Sequence, residues 1–244
     1  MSLAGGLTRG LFGLTPAARR AASAPDPFAD ALLTFDASQL ALSDGAALTS
    51  APAGAAGTFT RTAPGVVYGA SYHGRPAAVF DGSNSQLSVS ASTLPVGSAA
   101  RTLLVELFTD PAASDGSVPC GYGSPAGSPS GGSPPNGAVI PLMYAASTAV
   151  SDYGDLITVP GGARRNAWHR WAYRTTGAGA WAVFVDGASA ATGTLTTATR
   201  LDGDGNFYVG GLPWLSSVPC TGGIARCHVF GTALDDAWLA ANWS

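Results

Sequence analysis

At 244 residues, the chain is long enough for one all-β domain with additional segments. Apolar residues make up 46% and charged residues only 11%, a composition that supports a core while Gly, Ser, Thr, Ala and Pro supply turns. The formal net charge is −3 and no basic stripe is present, so nucleic-acid binding is not expected. No stretch approaches the roughly 18 apolar residues of a membrane-spanning helix.

The first 27 residues differ from the rest of the chain and are predicted to form an N-terminal arm. They are rich in Gly and Ala, and they carry basic residues but no acid before Asp26. Apolar side chains are spaced along the segment, which favours an arm that docks on a partner. The candidate docking residues are Leu3, Leu7, Leu11, Phe12 and Leu14. A disordered tail and a targeting peptide are the alternatives left open.

The remainder, residues 28–244, is predicted to form one β-rich domain. Short alternating or apolar runs with aromatic and β-branched residues predict strands, and turn residues separate these runs. The predicted strands are Ala31–Phe35, Ala77–Asp81, Gln86–Ser90, Arg101–Thr109, Ala138–Ala145, Asp155–Val159, Trp168–Tyr173, Trp181–Asp186, Ala191–Leu195, Phe207–Gly210 and Gly223–Phe230.

Two segments are predicted to consist mainly of loops. Residues 43–66 are rich in Ala, Gly and Thr and alternate weakly, so we expect at most one poor strand there. Residues 111–137 form a Gly-, Ser- and Pro-rich segment whose length is uncommon for a loop inside a domain. The only helix signal is Asp235–Trp243, with Asp235 as the N-cap and apolar side chains on one side.

A hairpin is predicted near the middle of the chain. The alternating runs Trp168–Arg174 and Trp181–Asp186 flank a Gly-Ala-Gly turn, and this pattern is typical of an antiparallel pair of strands. The alternation places Trp168 and Val183 or Val185 against the core.

A second hairpin is predicted from Ala77–Asp81 and Gln86–Ser90, which bracket a four-residue turn beginning at Gly82. The Asp-Gly pairs at 81–82 and 186–187 are predicted turns. Arg101–Thr109 is nearly continuous in apolar residues, a pattern typical of a strand buried on both faces.

The chain has three cysteines, and an odd number does not make a disulfide framework. Cys120 and Cys220 each end a Ser-Val-Pro-Cys tetrapeptide. They could pair in an oxidising environment or remain free thiols in loops. Cys227 lies in an alternating run and is predicted to pack as a small hydrophobic residue. The spacing does not indicate a zinc site.

Three segments, in this order, resemble the laminin G-like, concanavalin A-like jelly-roll superfamily. They are GRPAAVFDGSNSQLSVS at 74–90, the Trp-His hairpin ending in Val-Asp-Gly at 185–187, and FYVGG at 207–211 followed by GGIARCHVFGTALDDAWL at 222–239. The resemblance covers roughly residues 30–243. It implies an all-β, antiparallel two-sheet β-sandwich of the jelly-roll type. With the helix and the arm predicted above, the expected fold is this sandwich with a short C-terminal helix and an extended N-terminal arm, which lies outside the resemblance. Ala225-Arg226 stands where the family usually has Asp-Glu.

Glycoside hydrolysis occurs in this superfamily and needs two suitably spaced carboxyl groups. The chain contains a single Glu, Glu106, four residues before Asp110. Strand geometry separates these two backbones by about 13 Å, which is too far for a catalytic pair. The protein is therefore expected not to be an enzyme.

No cofactor is expected except a possible calcium ion. Asp202, Asp204 and Asn206 place oxygen ligands at alternate positions, as calcium loops do. Because the continuation does not follow the EF-hand pattern, a tight Asp/Gly turn is the alternative.

Glycan binding requires exposed aromatic rings together with acids and amides that bind hydroxyl groups. Such aromatics are predicted in loops, and exposed aromatics raise the chance of a binding surface. The candidate glycan-binding residues are Trp214, Tyr153, Tyr122, Asp152 and Asp155.

A sandwich with a short N-terminal anchor resembles phage tail fibres, head spikes and gene-transfer-agent spikes. The resemblance implies a non-enzymatic adhesion module on a virion or virus-like particle. Such a module binds a cell-surface glycan, attaches to a particle or capsid protein through residues 1–27, and forms a homo-oligomer that gains avidity. A purely structural decoration or assembly protein is one alternative, and a secreted glycan-binding or glycan-hydrolysing module is another.

Overall fold

The computed structural model describes residues 25–83, 85–114, 116–124, 136–143, 148–152, 155–162, 164–177, 179–195, 206–213 and 219–244. These residues contain sixteen strands and one α-helix. In chain order the elements are β1 (Leu33–Asp36), β2 (Ser50–Pro52), β3 (Thr58–Ala63), β4 (Val66–Tyr72), β5 (Arg75–Asp81), β6 (Gln86–Ser90), β7 (Arg101–Thr109), β8 (Cys120–Ser124), β9 (Asn136–Met143), β10 (Thr148–Asp152), β11 (Asp155–Val159), β12 (Trp168–Thr175), β13 (Ala180–Val185), β14 (Ala188–Thr194), β15 (Asn206–Val209), β16 (Thr221–Phe230) and α1 (Asp236–Asn242).

The strands form two antiparallel eight-stranded sheets that pack as a sandwich. Sheet A has the order β14-β13-β12-β7-β16-β5-β4, with β1 also paired to β16. Sheet B has the order β11-β10-β9-β8-β15-β6-β3-β2. Half of the neighbouring strand pairs are consecutive in sequence and half are not, and the non-consecutive pairs are those expected for a jelly roll in which strands cross between layers. The predicted all-β, two-sheet architecture is confirmed.

The main core lies between the two sheets and is dominated by aromatic rings. Phe35 of β1 meets Phe59 of β3 edge to face, with ring centroids 5.8 Å apart. Phe59 meets Phe207 of β15 at 6.4 Å, and Phe207 meets Tyr122 of β8 at 5.9 Å. All four side chains are completely buried. Such edge-to-face pairs add to the stabilisation that burial provides, and this row of rings links sheet A to sheet B.

A second apolar cluster, the C-terminal cluster, covers part of the outer face of sheet A. Leu239 and Trp243 at the C-terminus are fully buried against side chains of this face, including Leu104 of β7. The Asp235 carboxylate caps α1 by accepting a hydrogen bond of 2.7 Å from the Trp238 amide, and the Trp243 indole donates to the Trp171 carbonyl. The predicted helix and its N-cap are confirmed.

Strand β7 runs through the centre of sheet A and all nine of its residues are buried. One of its faces lies on the main core, and α1 covers part of the other. The prediction of a strand buried on both faces is therefore confirmed.

The predicted hairpin at 168–186 is confirmed as β12 and β13, in which Trp171 pairs with Val185. Val183 and Val185 face the main core as predicted, but the tryptophan in that core is Trp171. The placement of Trp168 against the core was wrong, because β12 turns Trp168 to the outer face of sheet A, opposite Phe108.

The predicted hairpin at 77–90 was wrong. The two strands exist as β5 and β6, but β5 belongs to sheet A and β6 to sheet B. The segment between them crosses from one layer to the other. Asp81 still makes a tight turn, since its carboxylate accepts bonds from the Ser83 amide and hydroxyl; these bonds lower the pKa of Asp81.

The two segments predicted as loops contain strands. The 43–66 region contributes β2 and β3 to sheet B, and β4 begins at its end. The 111–137 region contains β8, so it is not one continuous loop. Tyr122 lies in β8, is fully buried, and donates its hydroxyl hydrogen to the Pro95 carbonyl over 2.8 Å. Its predicted exposure in a loop was wrong.

All three cysteines are buried, and the structure shows no disulfide between them. Cys227 faces the main core as predicted. Cys220 follows Pro219, whose carbonyl accepts a bond from the Ser117 hydroxyl. Burial raises the pKa of Cys220 to about 12, and the nearby Cys120 contributes to this shift.

Within the described residues, no helix has the length and apolar character needed to cross a bilayer.

Candidate functional site

The outer face of β7 changes character along its length. Leu104 lies beneath the C-terminal cluster, Glu106 follows two residues later, and Phe108 after that. Glu106 is 1% exposed, so its charge requires compensation within the protein.

Direct cross-strand neighbours supply part of that compensation. Arg170 of β12 and Arg226 of β16 are the register partners of Glu106 on its two sides. Opposite charges at such positions stabilise a sheet.

A β-bulge brings Arg226 to this face. The register between β16 and β7 shifts between Ile224 and Arg226, which makes Ala225 the extra residue. Ile224 and Cys227 can therefore both face the main core, while Arg226 between them faces outward. Bulges redirect side chains in this way.

The bulge also marks a change of partner strand. Before it, β16 pairs with β5 up to Ile224; after it, β16 pairs with β1 from Arg226 onward. Residues 75–77 of β5 therefore do not pair with β16, and Arg75, the first residue of β5, contacts Glu106.

Three guanidinium groups converge on the Glu106 carboxylate. Arg226 bonds Oε2 through Nε and Nη2, both at 2.6 Å. Arg170 bonds Oε1 through Nε at 3.3 Å, and Nη1 of Arg75 contacts the same oxygen. The Glu106 side chain is 2% exposed, whereas that of Arg75 is 42% exposed. The carboxylate is therefore a buried hub whose cations extend to the surface.

Two cavities flank this hub, and Arg75 and Glu106 line both. One, of about 240 Å³, is also lined by Asp36, Ser38 and Arg226. We name the whole depression the arginine groove. It consists of Arg75, Glu106, Arg170 and Arg226, with Asp36 at one end and Trp168 and Asp186 at the other.

The second cavity, of about 220 Å³, holds the Trp168 and Asp186 end of the groove. The Asp186 carboxylate accepts 2.8 Å bonds from the Arg170 amide and lies 2.8 Å from Nδ1 of His169. Asp186 and Gly187 both have positive φ and form the predicted turn, here between β13 and β14.

Aromatic rings contact two of the three arginines. The guanidinium of Arg226 lies over Trp243 at 5.1 Å and over Phe28 at 5.9 Å. Arg75 lies over Trp168 at 5.6 Å, and the Trp168 indole donates to the His73 carbonyl. Cation–π contacts of this kind restrict the guanidinium groups.

The pKa values of the three arginines are all lowered, chiefly because burial penalises their charge. For Arg75, repulsion from Arg170 and Arg226 adds to this lowering of the pKa, and Asp186 opposes it. For Arg170, repulsion from Arg226 acts in the same direction. For Arg226, Asp36 opposes the lowering of the pKa.

The sequence-predicted site residues lie elsewhere or outside the described residues. Asp152 ends β10 and Asp155 begins β11, where they are register partners in sheet B. Tyr153 and Trp214 are outside the described residues, so the predicted glycan-binding loops stay a prediction.

The predicted calcium site and the predicted docking face of the arm also stay predictions. Asp202 and Asp204 lie outside the described residues, as does the whole of 1–24. Asn206 begins β15 and its amide donates to the Tyr208 hydroxyl at 3.3 Å. In the described parts of the chain, no three His, Cys, Asp or Glu side chains come together as potential metal ligands.

Sequence reasoning did not find the arginine groove. Its four central residues lie on four strands and span positions 75 to 226, so no local spacing connects them. The sequence contained one signal. Glu106 lies alone inside the apolar strand β7, and a buried carboxylate requires a paired cation. Arg226 likewise interrupts the apolar strand β16.

Solved structures of carbohydrate-binding or glycan-processing proteins share the fold. Domain 4 of AbnA, an extracellular arabinanase from Geobacillus stearothermophilus in complex with arabinotriose, is 14% identical, with a TM-score of 0.58 over 83% of this chain and 100% of that one. The sialidase of Trypanosoma rangeli is 12% identical, with a TM-score of 0.57 over 87% of this chain and 32% of its own.

The NanB sialidase from Streptococcus pneumoniae is 13% identical, with a TM-score of 0.50 over 63% of this chain and 26% of that one. At such identities the likeness concerns the fold alone. No curated protein matches the chain in sequence. Residues 81–240 match the Laminin_G_3 family, described as the concanavalin A-like lectin/glucanases superfamily, and the chain therefore belongs to this family.

Proposed function

We propose that the protein is a non-enzymatic adhesion module that binds a cell-surface polysaccharide in the arginine groove. The observation that carries the proposal is the convergence of three guanidinium groups on a buried carboxylate beside two open cavities. Fixed polar groups in a depression are what orient a ligand rich in hydroxyl groups. The complex of a structural neighbour with arabinotriose supports glycan binding on this fold.

The absence of catalysis is part of the proposal. Glycoside hydrolysis commonly uses one carboxyl group as acid and a second as base or nucleophile. Both oxygens of Glu106 are occupied by arginines. The Asp110 carboxylate accepts a bond from the Ala112 amide. This engagement favours a binding role over a catalytic one.

Trp214 and Tyr153, which the sequence predicts to bind glycan together with Asp152 and Asp155, form a second proposed glycan contact. Substituting Trp214 and Tyr153 by alanine tests it independently of the groove. If glycan-array binding is unchanged in both variants, this contact does not exist, and the groove is the remaining candidate.

A glycan array tests the main proposal. Wild-type protein is expected to bind a subset of polysaccharides, and Arg75→Ala is expected to lose that binding. Arg61→Ala, on β3 of sheet B, is the matched control because it removes the same charge from the opposite layer. Equal binding by both variants would remove the groove from the proposal, and an array without any bound glycan would overturn adhesion itself.

We further propose that residues 1–27 attach the module to a particle or capsid protein, with several copies providing avidity. Phe28 packs against His228 with ring centroids 4.2 Å apart, so a deletion should end before it. Deleting residues 1–24 is expected to abolish particle attachment and leave the melting temperature unchanged. Secreted protein cleaved near residues 22–25 would instead support the alternative of a secreted module, and retained attachment would contradict the anchor.

A further inference from the structure

We propose that the arginine groove selects acidic saccharides, with the carboxylate of a uronate residue bound by Arg75 together with Arg226 in one cavity or with Arg170 in the other. This inference rests on the proposed adhesion function and names the ligand class of that site.

Unused hydrogen-bond donors on the arginines are the first argument. A guanidinium has five N–H donors. The bonds to Glu106 use Nη1 of Arg75, Nε of Arg170, and Nε and Nη2 of Arg226. Donors therefore remain on each arginine beside the cavities. Arginine and a carboxylate form strong, often bidentate pairs, so a ligand carboxylate is the group that fits these donors best.

The charge balance at the centre of the groove is the second argument. Three cations surround one buried anion, Glu106. The pKa values of all three arginines are lowered chiefly by burial. Mutual repulsion contributes for Arg75 and Arg170, and Asp186 and Asp36 oppose the lowering of the pKa values without reversing it. A second anion bound among them relieves that repulsion, since an opposite charge within a few ångströms favours the charged form.

The ends of the groove distinguish a uronate from a polyphosphate. Asp36 lies at one end and Asp186 at the other. A carboxylate oxygen accepts hydrogen bonds from sugar hydroxyl groups but repels further negative charge. A uronate can place its single carboxylate among the arginines at the centre of the groove and its hydroxyl groups beside the aspartates at the ends. A phosphate chain instead places negative charges against both aspartates.

The dimensions and rigidity of the groove are the last argument. The cavities of about 240 and 220 Å³ are smaller than the roughly 300–1,000 Å³ of pockets for drug-sized ligands, which suits a single sugar ring in each. Arg226 is held over two aromatic rings and Arg75 over one. Donors held in place before binding lose less entropy when a ligand binds.

The test is isothermal titration of the full chain with polygalacturonate, alginate and hyaluronan, each compared with its carboxyl-reduced neutral form. At least one acidic polymer is expected to bind, and reduction of its carboxylates is expected to weaken binding about tenfold or more. This comparison uses only wild-type protein, so it does not depend on the folding of a variant.

Variants then localise the site. Arg75→Gln is expected to weaken binding of the acidic polymer about tenfold, and Arg75→Lys to weaken it less because the charge remains without the planar fork. Arg61→Gln is the control and is expected to bind as wild type does. Circular dichroism establishes that each variant is folded.

The outcomes distinguish this inference from the proposed adhesion function on which it rests. Equal affinity for acidic and reduced polymers overturns carboxylate selection and leaves glycan adhesion standing. Binding of polyphosphate or dextran sulfate as tightly as of polyuronate, with the same loss in Arg75→Gln, overturns it in favour of a general anion site. Binding to none of these polymers nor to any glycan on an array overturns the adhesion function itself.

Discussion

Glu106 is expected to contribute strongly to the stability of sheet A at the arginine groove. Its side chain is 2% exposed and pairs with three arginines. Removing one partner of a buried ion pair leaves uncompensated charge and costs about 3–5 kcal/mol. Glu106→Gln is therefore expected to lower the free energy of unfolding by about 3 kcal/mol, measured by urea denaturation.

A matched control is available where α1 pairs with a strand of the same sheet. Asp236 also pairs with an arginine, Arg174, at 2.6 Å, but its side chain is 68% exposed. Asp236→Asn is expected to cost under about 1 kcal/mol, as exposed pairs do. If Glu106→Gln is no more costly than Asp236→Asn, the groove does not contain a buried ionic hub.

His228 is expected to make the fold sensitive to acid. It is buried, stacks on Phe28, and its Nε2 has no hydrogen-bond partner among the described residues. Burial, with repulsion from Arg226, lowers its pKa from 6.5 to about 3. Because the unfolded chain takes up this proton first, stability is complete above pH 6.5 and falls as pH decreases towards 3, by about 1.4 kcal/mol per pH unit.

Unfolding measured between pH 7 and 4 checks this expectation. His228→Gln is expected to reduce the slope of the free energy of unfolding against pH by the contribution of one proton, relative to wild type. His73→Gln, at an exposed position, controls for loss of a histidine in general. A slope unchanged by His228→Gln would show that other groups cause the acid sensitivity.

The single residues of the site illustrate what sequence can predict. The lone Glu and the substitution of Ala225-Arg226 for Asp-Glu were both visible in the sequence. Their proximity was not, because it depends on the register of β7 against β16 and on the bulge at Ala225. A bulge shifts which face each side chain takes, and no local pattern of charge indicated it.

Among the elements, strands with strong local signals were predictable. β7 and the β12–β13 hairpin were found because continuous or alternating apolar residues record burial directly. β2 and β8 were missed because Ala, Gly and Pro are depleted in strands. β3, β4 and β10 were missed as well, although they contain Thr, Val or Tyr, which favour strands. β5 and β6 were predicted as strands but wrongly paired, because a turn such as Asp81-Gly82 does not indicate whether the next strand joins the same sheet or the opposite one.

The start of β16 gives a prediction at this scale. Gly222 has φ of +139° and lies opposite Thr109 of β7. A Cβ added to it would lie far inside contact distance of the Phe108 carbonyl oxygen. Gly222→Ala is therefore expected to cost about 3 kcal/mol through overpacking and backbone strain.

Gly45 separates these two contributions. Its φ is +76°, and a Cβ there meets nothing within 4 Å, so Gly45→Ala reports the conformational cost of about 1 kcal/mol alone. Urea denaturation of both variants gives the comparison. Equal losses at the two positions would contradict a close approach of β16 to β7.

In the molecule as a whole, the two faces of sheet A have different roles. The inner face and sheet B form the main core, and the C-terminal cluster with α1 covers one part of the outer face. The arginine groove occupies another part of that face. The fold therefore places the arginine groove directly over its most buried strand, so that the proposed binding surface and the stability of the sheet share Glu106.

The three cysteines provide a measure of whether both layers open together. Cys120 lies in β8 of sheet B, Cys227 in β16 of sheet A, and Cys220 immediately before β16; all three are buried in one core cluster. At pH 8 a thiol whose pKa is about 12, as for Cys220, is protonated and unreactive, since the thiolate is the nucleophile.

Protein reduced beforehand is expected to resist a maleimide in the native state and to label at all three thiols with one urea midpoint, measured by mass spectrometry. Labelling of Cys120 at a lower urea concentration than Cys227 would show that sheet B opens while sheet A remains folded, and would contradict a single cooperative sandwich.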